Sequence, residues 1–310
     1  MESPSPAARF FLVVVRLRRL CANGIHRGGL YRSIGRHHFD HSCICHVGLA
    51  SPRGEDGRHL RLCTLGASSE LSSAQLTGPD GVIIGRCDRN YLRHNGPEHV
   101  LCFAPTRSGR GVGLVAPTLL TWPGSCIVHD IKGENWALTS GFGSFHRRVL
   151  LFDPTNRYSA AYDPRLEVRR GEWEVRDVQN IADVLVDPEG ALERRNHWEK
   201  TSHSLLVGGI LHVLYAEPGK TLAGVANFLS DPKRPIEATL RAMMTTPHLG
   251  DVGPHPVIAS AARELLNKSE DERSGVLSTA MSFLGLYRDP VVARVTRCSD
   301  WRIRDLVEAK

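Results

Sequence analysis

Between residues 99 and 128 an apolar run, a glycine-rich turn, an apolar run of helix length and a further apolar run follow one another directly, and this order leaves few folds open. His99–Phe103 and Ser125–Val128 are short, carry Val, Ile and Phe, and end in polar or Gly/Pro punctuation, which reads as strands, while Val112–Leu120 reads as a helix. A strand, turn, helix and strand within about 30 residues form a βαβ unit, whose two strands run parallel. Val82–Ile84 and Val149–Phe152 read as further strands, so parallel strands are predicted over 80–166, with the turn 104–111 at the carboxyl end of one of them.

The turn is Ala104-Pro105-Thr106-Arg107-Ser108-Gly109-Arg110-Gly111. At the head of a helix, successive backbone N–H groups converge on an anion at the positive end of the helix dipole, and side-chain bulk there would keep a phosphate out. Gly109, Gly111 and Gly113 provide that room. The match to the phosphate-loop pattern G-x-x-x-x-G-K-[ST] is partial, because Ala104 replaces the first Gly, Arg110 the Lys, and Gly111 the hydroxyl residue. An arginine fork is broader than an ammonium. A metal ion loses one direct ligand when position 111 has no hydroxyl. The pattern alone leaves phosphate binding open beside a plain glycine turn.

The 310 residues, 41% of them hydrophobic, suffice for one large domain or two ordinary ones. The net charge of +6 is concentrated in residues 1–70, which hold ten Arg and five acids, so it does not by itself indicate a nucleic-acid face on the remainder. Eight widely spaced cysteines read as reduced thiols rather than a disulfide framework. Phe10–Val15 is far shorter than the roughly 20 residues of a membrane span, and its basic flank follows the apolar core, which disfavours a signal peptide. Residues 1–75 show no sustained period and read as a biased segment without a stable core. Beyond Arg170 the period is helical: Val178, Ile181, Ala182 and Leu185, then Trp198 to Leu214 before Pro218, a helix opened by Pro235, another from Pro256 to Leu266, and a close near Asp289-Pro290.

The run Phe103 to Leu114, followed by Thr118-Leu119-Leu120-Thr121-Trp122-Pro123-Gly124-Ser125, closely resembles the nucleotide-loop region of TraG-type coupling proteins of conjugative DNA transfer. Val128-His129-Asp130-Ile131-Lys132-Gly133-Glu134-Asn135 resembles their D-x-K-G-E element, and Leu151-Phe152-Asp153-Pro154, His197-Trp198-Glu199-Lys200 and Asn267-Lys268 extend the likeness over about 80–310. The resemblance implies an α/β fold, a partial RecA-like P-loop NTPase domain with an all-α insert domain: 1–75 atypical, 76–168 the first part of the motor, 169–296 all-α, and 297–310 a return toward the motor. It implies ATP and Mg2+ as cofactors, held through Thr106, Arg107, Ser108, Gly109, Arg110, Gly111 and Val112, with Asp130, Lys132 and Glu134 at the pocket edge. It further implies a homo-hexamer at the cytoplasmic face of the inner membrane that passes a relaxase with its single-stranded DNA to type IV secretion channel proteins.

The chain departs from that pattern in three ways. The branch carries Lys where Arg110 stands; no transmembrane helix is visible in the sequence, so a cytoplasmic location is also open; and the acidic metal-site strand is not reached before Lys310. Val149–Asp153 and Val184–Asp187 imitate that strand, but Pro follows each Asp. The chain therefore reads as an amino-terminal portion of such a protein, expected to bind ATP weakly and to hydrolyse it at background. The rival reading is a non-catalytic fragment that acts at most as a substrate-docking module. A chromosome-segregation translocase of the FtsK type shares the motor but lacks the D-x-K-G-E neighbourhood and the helical insert. Asp130, Lys132 and Glu134 also read as a solvated turn, and His37, His38, His41, Cys43, Cys45 and His46 as a biased segment rather than a zinc site, since no ligand-pair spacing orders them. Trp198 and its charged neighbours read as helix packing and capping, and Lys233, Arg234 and Arg241 as a wet helix face rather than a partner surface.

Overall fold

The computed structural model describes residues 11–15, 47–48, 68–105, 107–187 and 196–308. They fall into two compact units, one within 1–150 and one within 151–308. The first runs through β1 (Phe11–Val15), β2 (Val47–Gly48), α1 (Ser68–Ser73), β3 (Val82–Cys87), β4 (Asn90–His94), β5 (Leu101–Cys102), a π-helical turn Gly111–Val115, α2 (Ala116–Thr121), β6 (Cys126–His129), α3 (Glu134–Gly143) and β7 (Arg148–Phe152). This mixture of strand and helix is compatible with the α/β class.

The sheet differs from the expected one in its partners. β1 lies between β6 and β7 and pairs in parallel with β6, Leu12 opposite Cys126 and Val15 opposite His129. The sequence reading placed no element in residues 1–75, yet Phe-Leu-Val-Val-Val has the length of a strand and the unbroken apolar character of one with neighbours on both sides. Residues 1–10, 16–46 and 49–67, including the His37–His46 cluster, lie outside the described residues. β5 was expected beside β6 but pairs antiparallel with β2 in a separate two-stranded sheet. The place beside β6 is taken by a segment with three consecutive valines, which fit a pleated sheet better than the short Leu101-Cys102 pair, with Leu101 and Phe103 exposed. β3 and β4 are likewise an antiparallel hairpin rather than parallel strands. Only Asp88 and Arg89 separate them, a connection that reverses the chain, and Asp88 takes the left-handed φ of 52° the turn requires.

In the second unit no strand occurs among the described residues after Phe152. α4 (Glu174–Val186), α5 (His197–Ala216), α6 (Leu222–Leu229), α7 (Ile236–Thr245), α8 (Pro256–Leu266), α9 (Glu270–Phe283), α10 (Pro290–Val295) and α11 (Ile303–Glu308) follow one another. From Leu205 onward α5 is apolar on nearly all sides, and it is the central helix, packed by α4, α6, α8 and α9. Leu205, Leu206, Ile210 and Leu211 are almost fully buried against Val225, Met243, Ile258, Leu265 and Val276. Gly208 lets α5 and α8 meet closely: a Cβ there would lie 2.7 Å from the Ala261 methyl. α5 starts with a capping box, Asn196 accepting from the Glu199 amide while Glu199 accepts from the Asn196 amide, each at 2.9 Å. This is the capping read from the charged neighbours of Trp198. Pro290 was read as closing the helical stretch; instead it occupies the first turn of α10, with the Asp289 carboxylate capping the Val291 and Val292 amides.

The incoming and outgoing segments of the second unit are tied together. The Ala161 amide donates to Asp300 Oδ2 at 2.7 Å, the Asp300 amide to the Ala161 carbonyl at 3.0 Å, and the Asp163 amide to Ser299 Oγ at 2.8 Å. Tyr162 stacks on Trp301 with ring centroids 4.6 Å apart.

Candidate functional site

The glycine turn lies between β5 and a continuous helical stretch over 110–121. The Ser108 amide donates to the Pro105 carbonyl at 3.2 Å, which closes a tight turn. Arg107 and Gly109 adopt positive φ, 67° and 81°, and Arg110 follows in the right-handed region at φ −54°, ψ −39°. A left-handed residue followed by a right-handed one turns successive amides toward a common point, the concavity that holds an anion. A Cβ added at Gly109, Gly111 or Gly113 would meet nothing within 4 Å, so the mouth is open.

The helix opens with an α-type bond, the Gly113 amide to the Gly109 carbonyl at 2.7 Å, and then widens to a π turn over Gly111–Val115, where the Ala116 amide donates to the Gly111 carbonyl. Pro117 provides the physical reason: it has no N–H, and its ring would clash with the carbonyl four residues back, which is Gly113, so a wider turn relieves both. Val112 is 72% exposed. Arg110 folds back over the loop and donates from Nη1 to the Ala104 carbonyl at 3.3 Å. Arg107, Ser108, Gly109, Arg110, Gly111 and Val112 thus come together as one turn and helix start, while Thr106 lies outside the described residues.

Asp130, Lys132 and Glu134 form a separate feature, the start of α3. Asp130 is 4% exposed, and both its carboxylate oxygens are engaged: Oδ1 accepts from the Gly133 amide and Oδ2 from the Trp136 amide, each at 2.9 Å. Gly133, at φ 77°, makes the turn that brings these amides round. Lys132 and Glu134 are exposed. The geometry of these three is that of a capped, solvated turn. Asp130→Ala is expected to leave two partly buried donors without this acceptor and to cost the first unit about 1–2 kcal/mol, read as a lower denaturation midpoint; an unchanged midpoint would remove the capping role.

Backbone N–H groups and an arginine are donors suited to phosphate. The donor set is a poor fit for Mg2+, since position 111 is glycine and each Asp130 oxygen already accepts a backbone amide. Among the described residues no group of three His, Cys, Asp or Glu converges as a metal site, Cys87, Cys102, Cys126 and Cys298 are free thiols, and no helix is long and apolar enough to cross a membrane. The sequence reading did not single out Thr118, although it touches both the loop helix and β3. A threonine inside a helix carries no signal of a partner 35 residues away.

The chain belongs to the Type IV secretory system Conjugative DNA transfer family, which residues 66–310 match. It is 51% identical over 227 residues to the conjugal transfer protein TraG of Escherichia coli, covering 70% of this chain and 35% of that protein. It is 29% identical over 228 residues to protein VirD4 of Rhizobium rhizogenes, covering 70% of this chain and 32% of that protein. The chain therefore spans about a third of the length of these relatives.

Proposed function

We propose that this chain contributes the nucleotide-binding part of a conjugative coupling protein, with ATP held by its phosphates at the loop 104–113. The single observation that carries this is the Gly109–Arg110 pair, a left-handed residue followed by a right-handed one with open space at the glycines, placed where a strand gives way to a helix. Membership of the conjugative DNA transfer family supports the larger setting: an ATP-driven motor that assembles as a hexamer at the inner membrane and hands a relaxase with its single-stranded DNA to the secretion channel. In this reading the residues of the chain bind and orient the phosphates. Amides of the loop donate to the phosphate oxygens, and Arg110 leaves the Ala104 carbonyl to pair with them. The loop offers Mg2+ no hydroxyl at position 111.

The contact between Arg110 and Ala104 also favours the second reading, a docking module whose loop is closed on itself. Calorimetric titration with ATP separates the two. A compact ammonium has no fork to lay back on the loop and fits a narrow phosphate cradle, so Arg110→Lys is expected to tighten ATP binding about tenfold. Equal or weaker binding by the lysine variant would favour the docking module.

A further inference from the structure

One hydroxyl joins two elements that the sequence keeps far apart. The Ile83 amide, in β3, donates to Thr118 Oγ1 at 3.0 Å, and the same hydroxyl donates to the Leu114 carbonyl at 2.7 Å. Leu114 lies in the π-helical turn that follows the glycine loop, and Ile83 is 1% exposed at the root of the hairpin, beside the bulge between Ile83 and Gly85. Ile83 stands in register with Arg93, and its amide is taken up by a side-chain oxygen rather than by a strand carbonyl. A threonine hydroxyl bound to the carbonyl four residues back also bends a helix, and Pro117, its neighbour, has already widened this one. The turn that presents Gly111 and Gly113 is thus held in its wide form from two sides, by the proline from within and by the hairpin through Thr118.

We propose that Thr118 is a positioning residue for the glycine loop, coupling the order of hairpin β3–β4 to the geometry of the loop amides, so that an anion bound at the loop also steadies the hairpin. This rests on the phosphate reading of the loop. Coupling of this kind is reciprocal: what the hairpin does to the loop, a bound anion does to the hairpin. A hydroxyl that merely satisfied a buried amide would stabilise β3 locally and leave the hairpin indifferent to the loop's ligand.

Hydrogen exchange of the full chain, with and without inorganic pyrophosphate, tests this on Thr118→Val, Thr118→Ala and Thr118→Ser. Without ligand, the Val and Ala variants are expected to exchange about fivefold faster at both 82–94 and 110–116, the factor for one net hydrogen bond, while α5 keeps its wild-type rate and Ser behaves as wild type. Ala, which only removes atoms, reads the same loss if the Val methyl fails to fit. Pyrophosphate is expected to slow exchange at the hairpin in the wild-type and Ser proteins and not in Val or Ala. Opening of only one of the two segments, or hairpin protection by pyrophosphate in Val and Ala equal to wild type, overturns the proposal. If calorimetry shows no pyrophosphate binding to the wild-type chain, the phosphate reading fails, and the ligand-free arm still decides whether the segments are coupled.

Discussion

Asp163→Ala is expected to lower the stability of the helical unit by about 3–5 kcal/mol, the cost of leaving a buried charge without its partner. Asp163 is fully buried; its Oδ1 accepts from the Arg165 amide at 3.0 Å and its Oδ2 from the Arg165 guanidinium, which is itself buried. Burial pushes the Asp163 carboxyl above its ordinary range, against the opposing pull of Arg165. Desolvation therefore outweighs the attraction, and the pair adds little net stability compared with apolar groups of the same size. Removing one member is a different matter, because the remaining guanidinium keeps its desolvation penalty. The pair also sits at the tie between the two ends of the unit, next to Ser299 and Asp300. Urea denaturation followed by circular dichroism checks the loss, and Asp163→Ala with Arg165→Met is expected to recover most of it. A loss below about 1 kcal/mol for the single variant would show that the guanidinium finds water.

The helical unit is expected to lose about 3 kcal/mol between pH 7 and pH 4 through His212 alone. The proton positions in its neighbourhood are fixed by backbone donors. His248 Nδ1 accepts from the His255 amide at 3.2 Å, so neutral His248 carries its proton on Nε2 and donates to His212 Nδ1 at 2.8 Å. His212 then carries its own proton on Nε2, toward Glu217 Oε1 at 3.7 Å. His255 Nδ1 accepts from the Val257 amide, which leaves its Nε2 proton facing Glu174, whose carboxylate also takes the Tyr215 hydroxyl. A second proton on His212 would sit at Nδ1, against an N–H, in a ring stacked on Phe228 with centroids 4.4 Å apart. Burial first, then His248 and Arg234, hold the His212 imidazolium down to about pKa 4, and burial and His255 lower His248 as well.

The sign follows from proton binding. The unfolded chain takes up this proton near pH 6.5 and the folded one near 4, so the contribution of His212 is complete above pH 6.5 and is lost as pH falls toward 4. His212→Gln keeps an acceptor for His248 and cannot titrate. Its stability is expected to fall less over the same range, and an unchanged slope would place the acid sensitivity elsewhere, with His248 the next group to replace.

Local features were the ones legible in the sequence. The strand, turn and helix order around 104–111 could be read because glycine punctuation and apolar runs act over a few residues, and α5 could be read because the nearly continuous apolar run Leu205–Leu214 before Pro218 has one good solution. The sheet could not be read in the same way. Whether Phe11–Val15 or Leu101–Cys102 lies beside β6 is a competition between segments distant in sequence, and only the relative fit of three valines against two short residues decides it. The π-turn was in principle legible from Pro117, whose missing N–H disturbs any α-helix begun at the loop. Thr118, the His212–His248–His255 chain and the closeness of Asp163 to Ser299 depend on tertiary contacts across 35, 36 and 136 residues, which no local pattern announces. Asp130 was legible as a choice of two, a pocket edge or a turn, and its carboxylate caps the turn that opens α3.

Equilibrium titration of ATP into the wild-type chain and into Gly109→Val tests the central claim most directly. Valine at φ 81° is strained and destroys the left-handed half of the anion-binding pair, while the second unit, which contains none of these residues, keeps its helical signal. The account predicts saturable binding to the wild-type chain and none to the valine variant with its circular dichroism intact. Binding of ATP to Gly109→Val with wild-type affinity would contradict it and place the nucleotide away from the loop.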